Sequence, residues 1–124
     1  MLDKKNRLTK RKEFNYLYKN GRAQHTSHLT LVYLPTKYRE IKIGFTVTNK
    51  IGKAHLRNLI KRRLRACVRE IVPNLPNNYN VVLIAKIGID KITFAELKSE
   101  VNNVFAKANL QWKYLKYYSI QLDY

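Results

Sequence analysis

The sequence predicts an α+β fold in which helices pack on a mixed sheet. Helical and strand-like segments follow each other in the order α-β-β-α-β-α, and a further short strand at 22–27 is weakly indicated. The 124 residues are the length of one ordinary domain. Of these, 45 % are apolar, which is typical of a folded globular chain. We therefore assign residues 1–109 to one domain and residues 110–124 to a C-terminal extension.

The first half of the chain predicts one helix and two strands. Residues 10–20 form the helix, with Thr9 as its N-cap and Gly21 just beyond its end. Strands follow at 28–34 and 41–48. The second strand alternates Ile41, Ile43, Phe45 and Val47 with Lys42, Gly44, Thr46 and Thr48. This alternation is typical of a strand with one buried face.

Residues 50–69 hold eight lysines and arginines and no acid, and they lead into a predicted amphipathic helix bounded by Gly52 and Pro73. Its apolar stripe spans roughly 80° of the helix and is formed by Leu56, Ile60, Leu64, Cys67 and Ile71, with Leu59 and Val68 out of register. Its polar face carries Arg57, Asn58, Lys61, Arg62, Arg65 and Arg69, while Arg63 lies apart. Without acids for i,i+4 ion pairs, these cations destabilise one another unless a polyanion binds.

The second half predicts a buried strand and a capped helix. The apolar run at 79–86 is typical of a strand covered on both faces. Thr93 and Glu96 form a capping box for a helix that ends near Asn109. Its predicted core stripe is Phe94, Leu97, Val101, Val104, Phe105 and Ala108. The extension at 110–124 contains Trp112 and four tyrosines.

The charge indicates an intracellular protein that binds a polyanion. The formal net charge is +17, and 19 of the 25 lysines and arginines lie in residues 1–69. No apolar run is long enough for a membrane span, and no secretory signal is recognised. One cysteine, Cys67, fits a reducing compartment. Clustered cations gain most from dense phosphates, so nucleic acid is favoured over an acidic protein or a membrane surface.

The sequence offers few residues for catalysis. His25 and His28 lack further metal ligands nearby, His55 is interpreted as a surface imidazole, and Cys67 lies on the apolar stripe. Glu96 and Glu100 are interpreted as solvated helix surface. Residues 50–53 resemble a weak anion-binding turn without the spacing of a nucleotide-binding loop. We therefore predict binding rather than protein-borne catalysis, with no catalytic residue and no metal ligand.

One set of motifs resembles the protein subunit of bacterial ribonuclease P. The resemblance runs from about residue 6 to about residue 108. It rests on Asn6-Arg7-Leu8, Phe14, Lys19-x-Gly21, Lys50-Ile-Gly52-x-Ala54, and Arg57-Asn58-x-x-Lys61-Arg62-x-x-Arg65. The family usually has arginine after Arg-Asn, whereas this chain has Leu59. The resemblance implies a four-stranded sheet with a left-handed β-α-β crossover, against the usual right-handed rule.

The resemblance also implies a function. Members of this family work in a ribonucleoprotein that removes the 5′ leader of precursor tRNA, where RNA and Mg²⁺ perform the hydrolysis in the cytoplasm. The expected partners are the catalytic RNA and precursor tRNA, with no stable protein partner and no membrane. The residues expected to bind the RNA are Lys50, Lys53, Arg57, Asn58, Lys61, Arg62, Arg65 and Arg69.

A cleft between the first helix and the sheet is expected to hold the leader. Phe14 and Tyr18 match aromatic positions of the family's first helix, although Phe14 fits an ordinary core position equally well. Tyr33 is assigned to the same cleft, with Val32 as the alternative because a shift of one residue reverses the face.

Two other classes of protein share these features. A structural RNA-binding protein, such as a ribosomal one, has similar charge and fold but does not stimulate leader removal. A DNA-binding protein would place the basic helix in a major groove, and no helix-turn-helix spacing precedes this helix.

Overall fold

One four-stranded mixed sheet organises the protein, and the computed structural model describes residues 2–37 and 40–110. The elements in chain order are α1 (Arg11–Asn20), β1 (Arg22–His25), β2 (Leu29–Pro35), β3 (Lys42–Thr46), α2 (Ala54–Ile71), β4 (Tyr79–Ala85) and α3 (Phe94–Lys107). Single turns of 3-10 helix lie at Lys4–Asn6, Val72–Asn74 and Ile89–Lys91. The predicted mixed α+β fold is confirmed, and the weakly indicated strand at 22–27 is present as β1.

The strands lie in the order β1-β2-β4-β3. β2 is antiparallel to both β1 and β4, whereas β3 runs parallel to β4. The parallel pair is joined through α2, so the basic helix is the crossover of a β-α-β unit. Its left-handed sense remains an expectation from the family.

Apolar side chains cover both faces of the sheet, as the period of two along each strand requires. On one face, Leu31 and Leu83 join the main core beneath α2 and α3. On the other face, Val32 and Val82 form a smaller cluster with Leu17 of α1. β4 is therefore buried on both faces, which confirms the interpretation of its continuous apolar run.

The ends of α1 differ from the prediction. Lys10 is the N-cap residue and its side chain makes no capping bond, so the assignment of Thr9 is wrong. Gly21 ends the helix with extended backbone, at φ −76°. A Cβ atom at Gly21 would lie 2.7 Å from both the Leu17 carbonyl oxygen and Val32 Cγ1. Glycine is needed here because the chain passes close to its neighbours.

The capping box of α3 is confirmed. Thr93 Oγ1 accepts a hydrogen bond from the Glu96 amide at 3.1 Å, and Glu96 Oε1 accepts one from the Thr93 amide at 3.0 Å. Phe94, at the first helical position, is 43 % exposed, so its assignment to the core stripe is wrong. Leu97, Val101, Val104 and Phe105 are buried as expected.

Two further residues pack more deeply than predicted. Val68 is fully buried because α2 contacts both β3 and α3, which widens its apolar face beyond the predicted stripe. Leu110, assigned to the extension, is buried in the main core. The rest of the aromatic extension, residues 111–124, lies outside the described residues. None of the helices in the described part of the chain has the length and apolar composition that a bilayer crossing requires.

Candidate nucleic-acid interface

The polar face of α2 forms a continuous basic surface, which we call the basic ridge. Its members are Arg57, Asn58, Lys61, Arg62, Arg65 and Arg69, and each is exposed or half-buried. Ile60, Leu64 and Cys67 anchor the opposite face of the helix in the main core. Burying these side chains fixes the rotation of α2 about its axis, so the cations are directed away from the core.

The charges of the basic ridge have no acidic partners within residues 2–37 and 40–110. The ion pairs of this region join His28 to Glu100 and Lys98 to Glu70. Arg65 instead places its guanidinium carbon 6.0 Å from the ring centre of Phe45, a cation–π contact. A row of cations without counter-ions produces a strong positive potential, which suits a densely charged anion.

The approach to α2 adds positive charge to the N-terminal end of the basic ridge. Lys50 and Lys53 are exposed. Lys53 is the N-cap residue, no side chain caps this end, and the first turn contains no acid. The partial positive charge of the helix N-terminus therefore adds to that of the two lysines. His55 is exposed, as the sequence predicted.

A second surface, which we call the aromatic cleft, lies where α1 crosses the sheet. The rings of Phe14 and Tyr18 are tilted by 50° with centres 6.4 Å apart. Phe14 is half-buried against the smaller core cluster and lies directly over Gly44. Tyr18 is 46 % exposed, and its hydroxyl shares a 2.5 Å hydrogen bond with Thr46 Oγ1. Phe14 thus combines a core contact with a position beside the exposed ring of Tyr18.

Tyr33 does not belong to the aromatic cleft, so its placement there is wrong. Its side chain packs against the main core on the opposite face of the sheet, with its ring centre 6.4 Å from that of Tyr79. Val32, the alternative, lies on the face that α1 covers. The register explains this, because Val32 pairs with Val82 and Gly44 pairs with Val82, which places all three on one face.

The basic ridge and the aromatic cleft meet at a small cavity of about 130 Å³. Lys61 and Arg65 of the ridge line it together with Phe14 of the cleft and Arg7. The Arg7 Nε group donates to the Leu2 carbonyl at 2.8 Å, which holds its guanidinium near the ridge. In the sequence, Arg7 stands out only as part of the Asn6-Arg7-Leu8 motif. Its contribution was hidden because the N-terminal segment has no helical periodicity to indicate which way a side chain points.

Cys67 of α2 and Glu100 of α3 have structural roles. Burial raises the pKa of the Cys67 thiol, which keeps it protonated within the core. The carboxylate of Glu100 accepts hydrogen bonds from Thr26 Oγ1, the His28 amide and His28 Nδ1 at 2.7–2.8 Å. The interpretation of Glu100 as solvated surface is therefore wrong. No group of three or more His, Cys, Asp or Glu side chains within the described ranges is arranged to hold a metal ion.

The fold and these surfaces define a class of protein, namely a small basic α+β protein that presents a cationic crossover helix beside an aromatic cleft. The sequence matches the family described as Ribonuclease P over residues 2–109. The chain therefore belongs to the ribonuclease P protein family.

Relatives support this membership. The chain is 34 % identical over 110 residues to the ribonuclease P protein component of Syntrophomonas wolfei, covering 89 % of this chain and 92 % of the relative. It is 40 % identical over 101 residues to that of Chlamydia trachomatis serovar L2, covering 81 % and 82 %.

Solved structures show the same fold. The Staphylococcus aureus RNase P protein superposes with a TM-score of 0.80 at 22 % identity, covering 86 % of this chain and 97 % of that one. The Thermotoga maritima RNase P protein gives a TM-score of 0.73 at 23 % identity, covering 78 % and 92 %.

Proposed function

We propose that this protein is the protein subunit of ribonuclease P and promotes removal of the 5′ leader from precursor tRNA. The observation that carries the proposal is the basic ridge, because its cations have no acidic partners in the described part of the chain. The RNA subunit of the ribonucleoprotein is the polyanion that would neutralise them. Family membership supports this partner over an unrelated structural RNA.

The ridge residues would contact that RNA in two ways. Arg57, Arg62, Arg65 and Arg69 offer planar forks that bind phosphate oxygens bidentately, and Lys61, Lys50 and Lys53 add point charges. Asn58 is exposed and can donate to and accept from a base edge or a 2′-hydroxyl. Leu59 stands where the family usually has an arginine, so this chain lacks a cation there, and the leucine side chain is half-buried.

The aromatic cleft would hold the leader of precursor tRNA. Tyr18 offers an exposed ring on which an unpaired base can stack, with Phe14 beside it. Val32 replaces Tyr33 as the sheet residue on this face. Because Phe14, Lys61 and Arg65 line one cavity, a leader in the cleft would lie directly beside the RNA bound to the ridge.

Hydrolysis itself is assigned to the RNA subunit, with Mg²⁺ held by the holoenzyme rather than by this chain. Two of its acids fit that division of roles, because Glu96 caps α3 and Glu100 binds the β1–β2 turn. The single cysteine, Cys67, is a free, buried thiol, which fits the cytoplasm, a reducing compartment.

Cleavage of precursor tRNA at low Mg²⁺ tests the proposal. The assay compares the bacterial RNA subunit alone, with this protein, and with an Arg62→Ala/Arg65→Ala variant. We expect the protein to stimulate cleavage and the double variant to need a higher concentration for the same effect. Lys37→Ala/Lys91→Ala, which removes two exposed cations outside α2, is the matched control and should behave as the unaltered protein.

Two outcomes would contradict the proposal. If the protein binds the RNA subunit but leaves cleavage unchanged, a structural RNA-binding role is the better assignment. If it binds duplex DNA more tightly than structured RNA, the protein is a DNA-binding protein instead.

A further inference from the structure

A second pocket lies on the flank of α1 that faces away from the aromatic cleft. It is an open cavity of about 390 Å³ between α1 and the ends of β2 and β4, and we call it the flank pocket. Residues of α1 and of the strand ends line it, among them Lys12, Glu13, Tyr16, Leu34, Thr36 and Asn80. We propose that the flank pocket binds one unpaired base of a single-stranded RNA segment.

The flank pocket is separate from the aromatic cleft. Tyr16 and Tyr18 are two residues apart on α1, so their side chains point to opposite sides of the helix at about 100° per residue. Tyr18 bonds to Thr46 at the end of β3, whereas Tyr16 lines the flank pocket beside Leu34 of β2. Leu17 lies between them and is buried against the sheet. A base bound in one site therefore leaves the other site open.

Tyr16 gives this flank an exposed ring for stacking. It is 61 % exposed and stands at the rim of the pocket, whose interior includes the apolar side chain of Leu34. Lys12 and Lys19 lie at i−4 and i+3 from Tyr16, so all three share one stripe of the helix. Cations alternating with an aromatic ring along one stripe match the phosphates and bases of a single strand.

The inner end of the pocket holds buried polar groups without partners. Asn80 is 9 % exposed, and its Oδ1 atom has no hydrogen-bond donor among the described residues. The Thr36 hydroxyl is likewise buried without a partner in this part of the chain. Buried acceptors are nearly always satisfied in native proteins, so these two groups favour a ligand that brings hydrogen-bond donors. The edge of a nucleobase supplies such donors.

The acid of the pocket determines how the nucleotide would be oriented. Glu13 is half-buried in the lining, and its carboxylate would repel a phosphate placed inside. It would instead accept a hydrogen bond from an exocyclic amino group of a base. The base therefore enters the pocket while the phosphates stay outside near Lys12 and Lys19. The same carboxylate would repel an acidic peptide, and acidic side chains have no planar ring that could stack on Tyr16.

The inference rests on the proposed function in taking RNA as the ligand. The inference goes beyond the proposed function because it assigns an RNA contact outside both the basic ridge and the aromatic cleft. A strand that left the cleft could cross α1 and reach this pocket, or a different single-stranded segment could use it alone. In both arrangements the base occupies the flank pocket and contacts the same lining residues.

Nuclear magnetic resonance of the full chain tests the inference directly. A short single-stranded RNA of adenosines and uridines is titrated into the labelled protein, and the Asn80 side-chain amide and the Leu34 backbone amide are followed. We expect both signals to shift and saturate. In Tyr16→Ala the affinity reported by these signals should fall about five- to 150-fold, the loss of one base stack. Tyr16→Phe keeps the ring and should bind as the unaltered protein does.

Phe94→Ala is the matched control, because it removes an exposed aromatic ring from α3, which lines neither the flank pocket nor the aromatic cleft. The Asn80 and Leu34 signals should shift in this variant as in the unaltered protein. The inference is overturned if those signals stay still while the signals of ridge residues such as Arg62 shift to saturation. It is also overturned if Tyr16→Ala binds with unchanged affinity.

These outcomes are separable from those of the cleavage assay. A protein that stimulates leader removal but shows no shift at Asn80 would refute the flank pocket alone. A protein whose pocket binds RNA but which leaves cleavage unchanged would refute the proposed function alone.

Discussion

Each arginine of the basic ridge should act as a separate phosphate contact, and Arg62 is the cleanest one to remove. It is exposed and makes no ion pair with the described residues, so Arg62→Ala should leave the free energy of unfolding nearly unchanged. We expect weaker binding to the RNA subunit at every salt concentration. The slope of log affinity against log salt should fall by about 0.7–0.9 for the lost contact.

Affinity measured between low and moderate salt checks this expectation, with Lys91→Ala as the control. An unchanged slope in Arg62→Ala would contradict a phosphate contact. Equal losses in both variants would indicate that only the total charge matters.

Tyr18 should discriminate between substrates with and without a leader. Removing its ring in Tyr18→Ala should weaken holoenzyme binding of precursor tRNA by about 1–3 kcal/mol if one base stacks on it. Mature tRNA, which has no leader, should bind with unchanged affinity. Tyr18→Phe keeps the ring and loses the hydrogen bond to Thr46, so it should retain most of the binding.

Binding measurements with both tRNAs provide the test. A loss of equal size for precursor and mature tRNA would mean that Tyr18 supports the fold or the ridge rather than the leader.

The roles of individual residues were harder to predict than the elements that carry them. Tyr33 and Val32 show why, because β2 has apolar or aromatic side chains on both faces and alternation alone does not identify the face beneath α1. Glu100 shows a second reason. Its partners Thr26 and His28 are more than seventy positions away, and no local pattern reports such a contact.

At the scale of elements, α3 holds the turn between β1 and β2 through side chains. Glu100 binds Thr26 and His28, and Lys107 Nζ donates to the His25 carbonyl at 2.9 Å. Lys86, the residue that follows β4, donates from Nζ to the Thr26 carbonyl at 2.8 Å. These bonds fix β1, a four-residue edge strand that is mostly exposed and has little apolar burial of its own.

The Glu100 contact should make stability depend on pH. Burial opposes ionisation of the carboxylate, but hydrogen bonds from the His28 side chain, Thr26 and the His28 amide outweigh it, so the pKa lies below its usual 4.5. A depressed pKa stabilises the fold above about pH 4.5, and that contribution is lost as the pH falls through the folded-state pKa. Glu100→Gln should therefore destabilise the protein by about 1–3 kcal/mol near pH 7.

Urea unfolding of the protein and of Glu100→Gln from pH 3 to 7 measures this difference. The gap between them should narrow below pH 4.5. Asp3→Asn, which alters an exposed carboxylate that makes no side-chain capping bond, is the control for the loss of a negative charge. A gap of constant size across the range would contradict the contribution of the Glu100 charge.

The elements themselves were largely predictable from the sequence. α2 and α3 have strong helical periodicity, and α3 also has its capping box. The errors lie where tertiary packing decides which side chains are covered. Val68 is buried because α3 and the sheet cover it together, and Phe94 begins α3 with an exposed ring. β1 was weakly indicated because four mostly exposed residues carry almost no apolar pattern.

At the scale of the whole molecule, a net charge of +17 on 124 residues should make the free protein sensitive to ions. Self-repulsion destabilises the folded state, and salt screens it. We therefore expect the Tm to rise with sodium chloride concentration. It should rise further with the RNA subunit, which adds about 2.7 kcal/mol at a hundred times its Kd.

Thermal unfolding followed by circular dichroism, over a range of salt and RNA concentrations, tests this dependence. The Arg62→Ala/Arg65→Ala variant should gain less from the RNA than the unaltered protein. A Tm that falls as salt is added would show that attractive pairs outweigh repulsion in the folded state.

The parallel pairing of β3 with β4 has a consequence for the kinetics of folding. The two strands are separated by residues 47–78, so their hydrogen bonds form only after a long loop has closed. Non-local contacts of this kind slow folding compared with hairpins such as β1–β2. α2 lies within that loop, so its orientation relative to α1 becomes fixed only when β4 enters the sheet. We therefore expect newly synthesised chains to become competent for assembly late, after the ribosome has released the segment that forms β4.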